Sequence, residues 1–550
     1  MPQWIIIGHE PMASYNSKRT HFLLFPAFVL TVWCLLPPLA GAARTVTAKA
    51  SASLGRFRAR MHWILSRPEA RLGDWGILVV DERTGQTLYD LNADHYFTPA
   101  SNAKLFTGSL ALAELGPTYR WRTTLETSGH IDPNGTLDGD LVLVGRGDPN
   151  LSNRIFPYGD KVQVDGPPEK VIADLVDQLV ARGVKRITGD VVADDSYFTY
   201  ERYPPGWNVD DLTADYGAPV SALVIDDNDL EIDVTPGAHA GDPATIQAVP
   251  WAAFYHFINQ VTTVRSGLDA QLSLSREPDS FDISVTGRVP EGSPPQQSWI
   301  AVEQPARYAA SLLKHLLVER GVAIDGGTRA EHLLPNQTPP PPPARQALAE
   351  HESPTLAEAL RYLMKVSQNL HAECLLRTVA HERTGVGSVE NGLKVEQEFL
   401  ARLGIANDVL FFDGSGLSRY DLVTPRALVS LLRYDARQNW AQVLRDSLPI
   451  AGIDGTLQNR MNHTLAAGHV FAKTGSLAHD NSLSGYATTL GGRHIVFSIL
   501  VNNTPPHAKF DPYIDQIVEA MVEDLGGRAR REPKRRPERQ ERHVPPGERH

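Results

Sequence analysis

Cysteine is nearly absent: Cys34 and Cys374 are the only two in 550 residues. That excludes a disulfide-stapled scaffold and any Cys-rich zinc module. Excess positive charge is missing too. The formal net charge is -11, which argues against a nucleic-acid footprint over the body. There is no H-E-x-x-H and no P-loop, and Gly145-Arg146-Gly147-Asp148-Pro149-Asn150 lacks the third glycine of a dinucleotide loop. No metal and no cofactor are expected. Arg146-Gly147-Asp148 reads as a turn rather than an adhesion motif. No regular repeat of about 20–50 residues is visible.

What is present is globular. Hydrophobic residues make up 42% and charged residues 21%, which excludes a mostly disordered chain or a coiled-coil rod. At about 100–200 residues per domain, the length allows two to four domains. The 43 glycines and 40 prolines, many of them clustered, point to a β-rich, loop-rich protein with insertions.

The N-terminus carries an export pattern. Lys18 and Arg19 precede an apolar stretch from Phe22 to Leu39, and Ala40-Gly41-Ala42-Ala43 follows. A basic region, a short apolar run and an A-x-A site read as a secretory signal peptide over residues 1–43. A retained membrane anchor is the competing reading. Pro26, Pro37 and Pro38 cut the apolar run below the ~20 residues that a span needs. Trp33, just before Cys34, is too large for a lipoprotein signal. Cleavage would remove Cys34 and leave Cys374 without an intramolecular partner. The expected location is therefore periplasmic or otherwise extracytoplasmic.

Along the chain, residues 75–91 alternate as a hairpin around Arg83-Thr84-Gly85-Gln86. Thr98 then fits as an N-cap with Pro99 at the first helical position. From about Tyr119 to Leu334 the character changes to short strand-like runs and turn-rich segments, with one amphipathic helix at Ala306 to Glu319. This block, 119–338, reads as a mostly β insertion built as two small modules. It would divide a domain whose first part is 44–118. Pro339 to Pro343 form a stiff spacer, taken as the return to that domain over 344–526. Residues 353–382 read as two helices, the first opening at Ser353-Pro354. A strand at His469 to Ala472, a hairpin around Gly491-Gly492 and a helix from Asp511 to Leu525 close the body. The tail, 527–550, is basic and reads as disordered.

Three short motifs carry chemistry. The first is Ser101-Asn102-Ala103-Lys104. Residues three apart on a helix share a face. A serine in the first turn lies among backbone N–H groups without helical partners, where the dipole favours negative charge. A neighbouring amine, its pKa lowered by burial, can take the hydroxyl proton. Ser311-Leu312-Leu313-Lys314 has the same spacing but falls mid-helix, where its hydroxyl bonds back to the helix.

The second motif is Ser367-Gln368-Asn369, at the junction of two expected helices. A hydroxyl there can relay a proton, and an amide can bond a peptide group with donor and acceptor. Plain N-capping by Ser367 is the competing reading. The third is Lys473-Thr474-Gly475-Ser476 after an apolar strand. A cation and hydroxyls on a strand edge suit a carboxylate, and Gly475 allows close approach of a substrate backbone.

Ser-x-x-Lys, Ser-x-Asn and Lys-Thr-Gly, in that order, form the signature set of penicillin-recognising serine enzymes, and the chain resembles that superfamily. More closely it resembles class C low-molecular-mass penicillin-binding proteins, the D-alanyl-D-alanine carboxypeptidase/endopeptidases of the penicillin-binding protein 4 type. The 263-residue gap from Lys104 to Ser367 marks that subgroup. Gly147-Asp148-Pro149-Asn150-Leu151, Pro205-Gly206-Trp207, Asp413 to Arg419 and Gly452 to Leu457 are further matches. The resemblance spans about residues 50 to 525.

The resemblance implies an α/β (α+β) fold: a transpeptidase/β-lactamase-like domain with an antiparallel sheet flanked by helices, carrying a large mostly β insertion. It implies Ser101 as nucleophile, Lys104 as base, Ser367 as proton relay supported by Lys473, and Asn369 on the substrate amide. Thr474 and Ser476 would hold the terminal carboxylate, and the N–H groups of Ser101 and Ser476 the oxyanion. Asp194 and Arg419 would meet a diaminopimelate-type side chain. Relatives can carry Gln where this chain has Ala478. The implied partners are peptidoglycan stem peptides ending in D-Ala-D-Ala and β-lactam antibiotics, with no nucleic acid. Contact of the basic tail with a membrane or wall polymer stays open, as does oligomeric state. A β-lactamase or esterase on the same domain is the alternative. No E-x-x-L-N lies between Ser367 and Lys473, so slow turnover of penicillin is expected. A catalytically idle wall-binding module is the other alternative.

Overall fold

A computed structural model describes residues 40–526, except 160, 254 and 342. The expected signal and tail lie outside the described residues, apart from Ala40 to Ala43, which open the helix Ala40–Leu65. In that helix Phe57, Met61 and Ile64 are fully buried. Their spacing of four and three residues makes one apolar stripe. It shares a core cluster with Ile77, Val79, Phe497 and Ile499.

Those residues belong to a five-stranded sheet. Its spatial order is Thr87–Leu91, Asp74–Asp81, His494–Asn502, Asp480–Thr488, Val470–Leu477, and every pairing is antiparallel. The expected hairpin over 75–91 is thus present, as is the hairpin around Gly491-Gly492. Alternation along each strand sends Ile77 and Val79 to one face and Leu78 and Val80 to the other. On that second face Leu78, Val80 and Val496 pack with Phe106, Leu110, Leu428 and Leu432, from helices Ala103–Glu114 and Pro425–Asp435. A sheet sandwiched by helices is the fold class expected. No helix among the described residues is long and apolar enough to cross a membrane.

The insertion has its own apolar cluster, running from Leu125 to Ala349. A second five-stranded sheet orders Thr328–Leu333, Val191–Thr199, Leu141–Val144, Arg122–Thr127 and Gln346–Glu352. Among the described residues a four-stranded sheet, two three-stranded sheets, a two-stranded sheet and the helices Lys170–Ala181 and Pro305–Glu319 complete it. Ser311 and Lys314 lie inside the second helix, as the decoy reading holds.

The proline run differs from expectation. It joins two outer strands of one sheet, Thr328–Leu333 and Gln346–Glu352, rather than marking the return to the first domain. Leu348 and Ala349, past the prolines, still belong to the insertion's cluster. The chain leaves that sheet at Thr355, whose hydroxyl accepts from Glu358 N–H while Glu358 accepts from Thr355 N–H (2.9 Å). That capping box opens the helix Leu356–Val366, two residues later than Ser353-Pro354 suggested.

Candidate active site

The helix that follows Ser101 also starts later than its sequence signal. Asn502 takes Thr98 on both sides, accepting from its N–H (2.7 Å) and donating to its carbonyl (3.1 Å). Thr98 is therefore held like a strand residue and caps nothing. A single 3-10 turn, Ala100–Asn102, leads directly into the helix Ala103–Glu114. Ser101 sits in that turn and Lys104 just inside the helix.

Lys104 is fully buried, and its Nζ donates to three acceptors: Ser101 Oγ (2.8 Å), Asn369 Oδ1 (2.6 Å) and Ser415 carbonyl (2.7 Å). Burial pulls its amine down to about 7, against the opposing pull of Asp413, Glu373 and Asp421. An amine so placed is a proton acceptor near neutral pH.

Ser367 ends the helix Leu356–Val366 in the left-handed region, at φ 64°. It closes that helix, its N–H donating to Leu363 carbonyl, and does not cap the next one; the Gln368 side chain does, accepting from Leu370 N–H (3.1 Å) at the head of the helix Asn369–Thr384. Ser367 Oγ instead accepts from Lys473 Nζ (2.7 Å). Burial, then the nearby Lys104 charge, hold the Lys473 amine well below the usual lysine range. Asn369 Nδ2 donates to Tyr216 carbonyl (2.8 Å), so that amide bridges Lys104 to the insertion.

Lys473 to Ser476 lie on Val470–Leu477, the outer strand of its sheet. Thr474 Oγ1 is 2.7 Å from Thr456 Oγ1, and Ser476 is exposed. A Cβ on Gly475 would stand 2.2 Å from Ser482 Oγ, 2.8 Å from Pro99 carbonyl and 3.0 Å from Ser101 N. Its bareness lets the strand pack against the nucleophile turn, a reason beyond substrate approach.

The wall opposite that strand is the loop 413–419. Asp413 is buried, and its carboxylate accepts from the backbone N–H groups of Ser415, Gly416, Leu417 and Ser418, from Ser415 Oγ and from Trp207 Nε1. That nest aims the Ser415 carbonyl at Lys104. Gly416 (φ 80°) presses on the nucleophile turn; a Cβ there would lie 1.9 Å from Ala100 carbonyl. Gly416→Ala should therefore cost about 3 kcal/mol or more of stability, read in thermal denaturation. It should also slow acylation by displacing Ser415.

Two connected hollows flank Ser101. One, about 460 Å³, is lined by Ser101, Asp211, Tyr216, Ser367, Asn369, Arg419, Ser476 and Ala478, among others. The other, about 260 Å³, is lined by Ser101, Ser367, Thr456, Arg460, Thr474, Gly475, Ser476 and Asp511. A larger hollow of about 780 Å³, by Arg58, His62 and Tyr89, contains none of the motif residues.

Arg419 lines the first hollow, its Nη1 donating to Ala478 carbonyl (3.1 Å). Asp194 does not reach it. That residue sits in the insertion strand Val191–Thr199, is paired with Arg345 (2.8 Å) and bonds Ser196, so the structure does not bring it together with Arg419 around one side-chain site, as the resemblance implied. Asp211, in a short turn of the insertion, is the carboxylate that lines the groove. Asp211 and Tyr216 were not legible as site groups, because each arrives through a turn with no motif chemistry of its own; Thr456 and Ser415 lie in the matched segments Gly452 to Leu457 and Asp413 to Arg419, to which the sequence attached no such role.

A helix-entrance serine beside a buried amine, with a second Ser–Lys contact across the groove, defines a serine hydrolase of the penicillin-recognising kind. The chain belongs to the D-Ala-D-Ala carboxypeptidase 3 (S13) family, whose sequence model matches residues 58–523. It is 34% identical over 489 residues to a D-alanyl-D-alanine carboxypeptidase of Actinomadura sp. (strain R39), covering 87% of this chain and 86% of that protein. It is 30% identical over 435 residues to the D-alanyl-D-alanine carboxypeptidase DacB of Haemophilus influenzae, covering 78% and 85%. The crystal structure of penicillin binding protein 4 from Haemophilus influenzae superposes with a TM-score of 0.70 at 28% identity, over 84% of this chain and 98% of that one. The same protein has also been solved in complex with a β-lactam (TM-score 0.66, 27% identity, 84% of this chain and 98% of that one). The enzyme class is thus serine-type D-Ala-D-Ala carboxypeptidase.

Proposed function

We propose that this enzyme trims peptidoglycan stem peptides ending in D-Ala-D-Ala, outside the cytoplasm, through an acyl-enzyme on Ser101. The observation that carries this reading is the three-way contact of Lys104 Nζ with Ser101, Asn369 and Ser415. Lys104 takes the Ser101 proton as Oγ attacks the carbonyl of the last peptide bond. The oxyanion lies between the N–H groups of Ser101 and Ser476, where no charge has to reorganise. Ser367, paired with Lys473, relays the proton that Lys104 took on to the departing amine, without which that amine is a poor leaving group. Thr474 and Ser476 take the terminal carboxylate, and Asn369 the substrate amide. Water then attacks the ester, restoring Ser101 and freeing the shortened peptide.

Arg419 and Asp211 place a cation and an anion in the lining of the 460 Å³ hollow. That pair suits a side chain that ends in both an amine and a carboxylate, as diaminopimelate does. Ala478 leaves the spot beside Arg419 without an amide donor. Penicillins enter as mimics of the substrate terminus and acylate Ser101. The pocket of 260 Å³ beyond Ser101 has more room than a departing alanine fills, which supports cutting of cross-linked peptides as well.

The test is direct. The protein, incubated with fluorescent penicillin and with a D-Ala-D-Ala-ended peptide, is expected to be labelled and to release D-alanine. Ser101→Ala should do neither. Labelling that survives the substitution would place the nucleophile elsewhere.

A further inference from the structure

The insertion touches the catalytic groups at a point that the reaction scheme above does not use. Asp226, Asp227 and Asn228 form a turn in which all three residues have left-handed φ values, 46°, 59° and 54°. Aspartate and asparagine tolerate that region better than other side chains, but as single residues rather than in runs. A run of three survives only where surrounding contacts hold it. Asn228 supplies part of the hold, accepting from Ile225 N–H (3.1 Å) and donating to Pro219 carbonyl (3.2 Å).

Asp227, 6% exposed, is what the turn presents. Its Oδ2 pairs with Arg154 (2.6 Å) and accepts from Gln368 Nε2 (2.9 Å) and Tyr362 OH (3.1 Å). Its Oδ1 meets His371 Nε2 (2.7 Å). Burial alone would raise this carboxyl, but Arg154 and His371 hold it well below the ordinary range, so it stays an anion. Tyr362 lies on the helix before Ser367, His371 on the helix after Asn369, and Gln368 between them. One carboxylate thus grips both helices and the middle residue of Ser367-Gln368-Asn369.

The grip matters because Ser367 is itself in the left-handed region, and its hydroxyl must face Lys473 at 2.7 Å. Gln368 is held at both ends, by Asp227 on Nε2 and by Leu370 N–H on Oε1. Releasing it lets the junction relax toward ordinary backbone angles and turns the Ser367 hydroxyl away. A misplacement of about 1 Å costs on the order of 10²-fold in rate.

We propose that Asp227, through Gln368, is the positioning residue for the Ser367 proton relay, so that the inserted region completes the catalytic machinery. This rests on the assignment of Ser367 as the relay to the leaving amine. The test separates relay from fold. A peptide amine needs a proton to leave. A thiolate does not, so an analogue with a thioester in place of the last peptide bond bypasses the relay.

In the full-length protein, kcat/KM, which reports acylation, is measured for both substrates. Asp227→Asn is expected to lower it about 30-fold for the peptide and less than about 3-fold for the thioester. Gln368→Met cuts the link at its other end and should give the same split. It also serves should Asp227→Asn fail to fold. Equal losses on both substrates would make the contact merely structural and overturn the proposal, as would unchanged rates in both variants. A parent protein that releases no D-alanine would bring down the carboxypeptidase reading along with it. Parent turnover with unsplit variants brings down this inference alone.

Discussion

Lys104→Met is expected to acylate with penicillin and peptide about 10⁴-fold more slowly than the parent, the upper end of what a positioned base contributes. Methionine keeps the length and the apolar stem but offers no lone pair to Ser101. The parent's acylation rate should rise as pH climbs through about 7, where the Lys104 amine loses its proton, and level off above. The variant should lose that inflection. The same amine should weigh on the fold. An unfolded lysine titrates near 10.4, so between about 7 and 10.4 the unfolded chain binds a proton that the native chain does not, and stability rises with pH there. At neutral pH the strain is on the order of 4 kcal/mol, at about 1.4 kcal/mol per pH unit. Methionine removes it but leaves the buried Asn369 and Ser415 acceptors unpaired, at about 1–3 kcal/mol each, so the two effects oppose and Lys104→Met should melt close to the parent at neutral pH. What the substitution should abolish is the rise of stability with pH above about 7. A variant that keeps that rise would place the linkage in another group, and a variant that still acylates would remove Lys104 as the base.

That trade-off shows which parts of this enzyme were legible in sequence. Ser101 and Lys104 are three apart, so local helix geometry brings them together, and Lys473 to Ser476 follow an apolar run that reads as a strand. The order of the three motifs pointed to the fold class. What local reading missed is set by groups far away in the chain. Thr98 looks like an N-cap, but Asn502 claims both its backbone groups. Ser367 looks like an N-cap, but it closes the preceding helix, and Gln368, held by Asp227, caps the next. The five prolines look like an exit from the insertion. Yet Leu348 and Ala349, just beyond, carry apolar side chains that the insertion's core takes up. Asp194 was carried over from the resemblance with no local signal to check it, and the strand that holds it spends its carboxylate on Arg345. Asp211, in a short turn further along, lines the groove.

The second large effect is expected at Asp413, which never meets substrate. Its carboxylate satisfies six donors, four of them backbone N–H groups of one loop. An amide at this place has one oxygen, and its NH2 confronts donors with a donor. Asp413→Asn thus leaves at least two buried N–H or O–H groups unpaired. Each costs about 1–3 kcal/mol, and the loss of the charge weakens the rest. A stability loss of about 3–5 kcal/mol is expected, seen as a lower urea midpoint with an unchanged slope. Acylation should fall on the order of 10²-fold, because the Ser415 carbonyl that anchors Lys104 moves with the loop. Trp207→Phe removes one donor and keeps the charge, so about 2 kcal/mol should go. The predicted order is what discriminates. Were Trp207→Phe to cost as much as Asp413→Asn, the insertion rather than the nest would be holding this wall. If neither substitution slowed acylation, the Ser415 carbonyl would not be what keeps Lys104 aimed at Ser101.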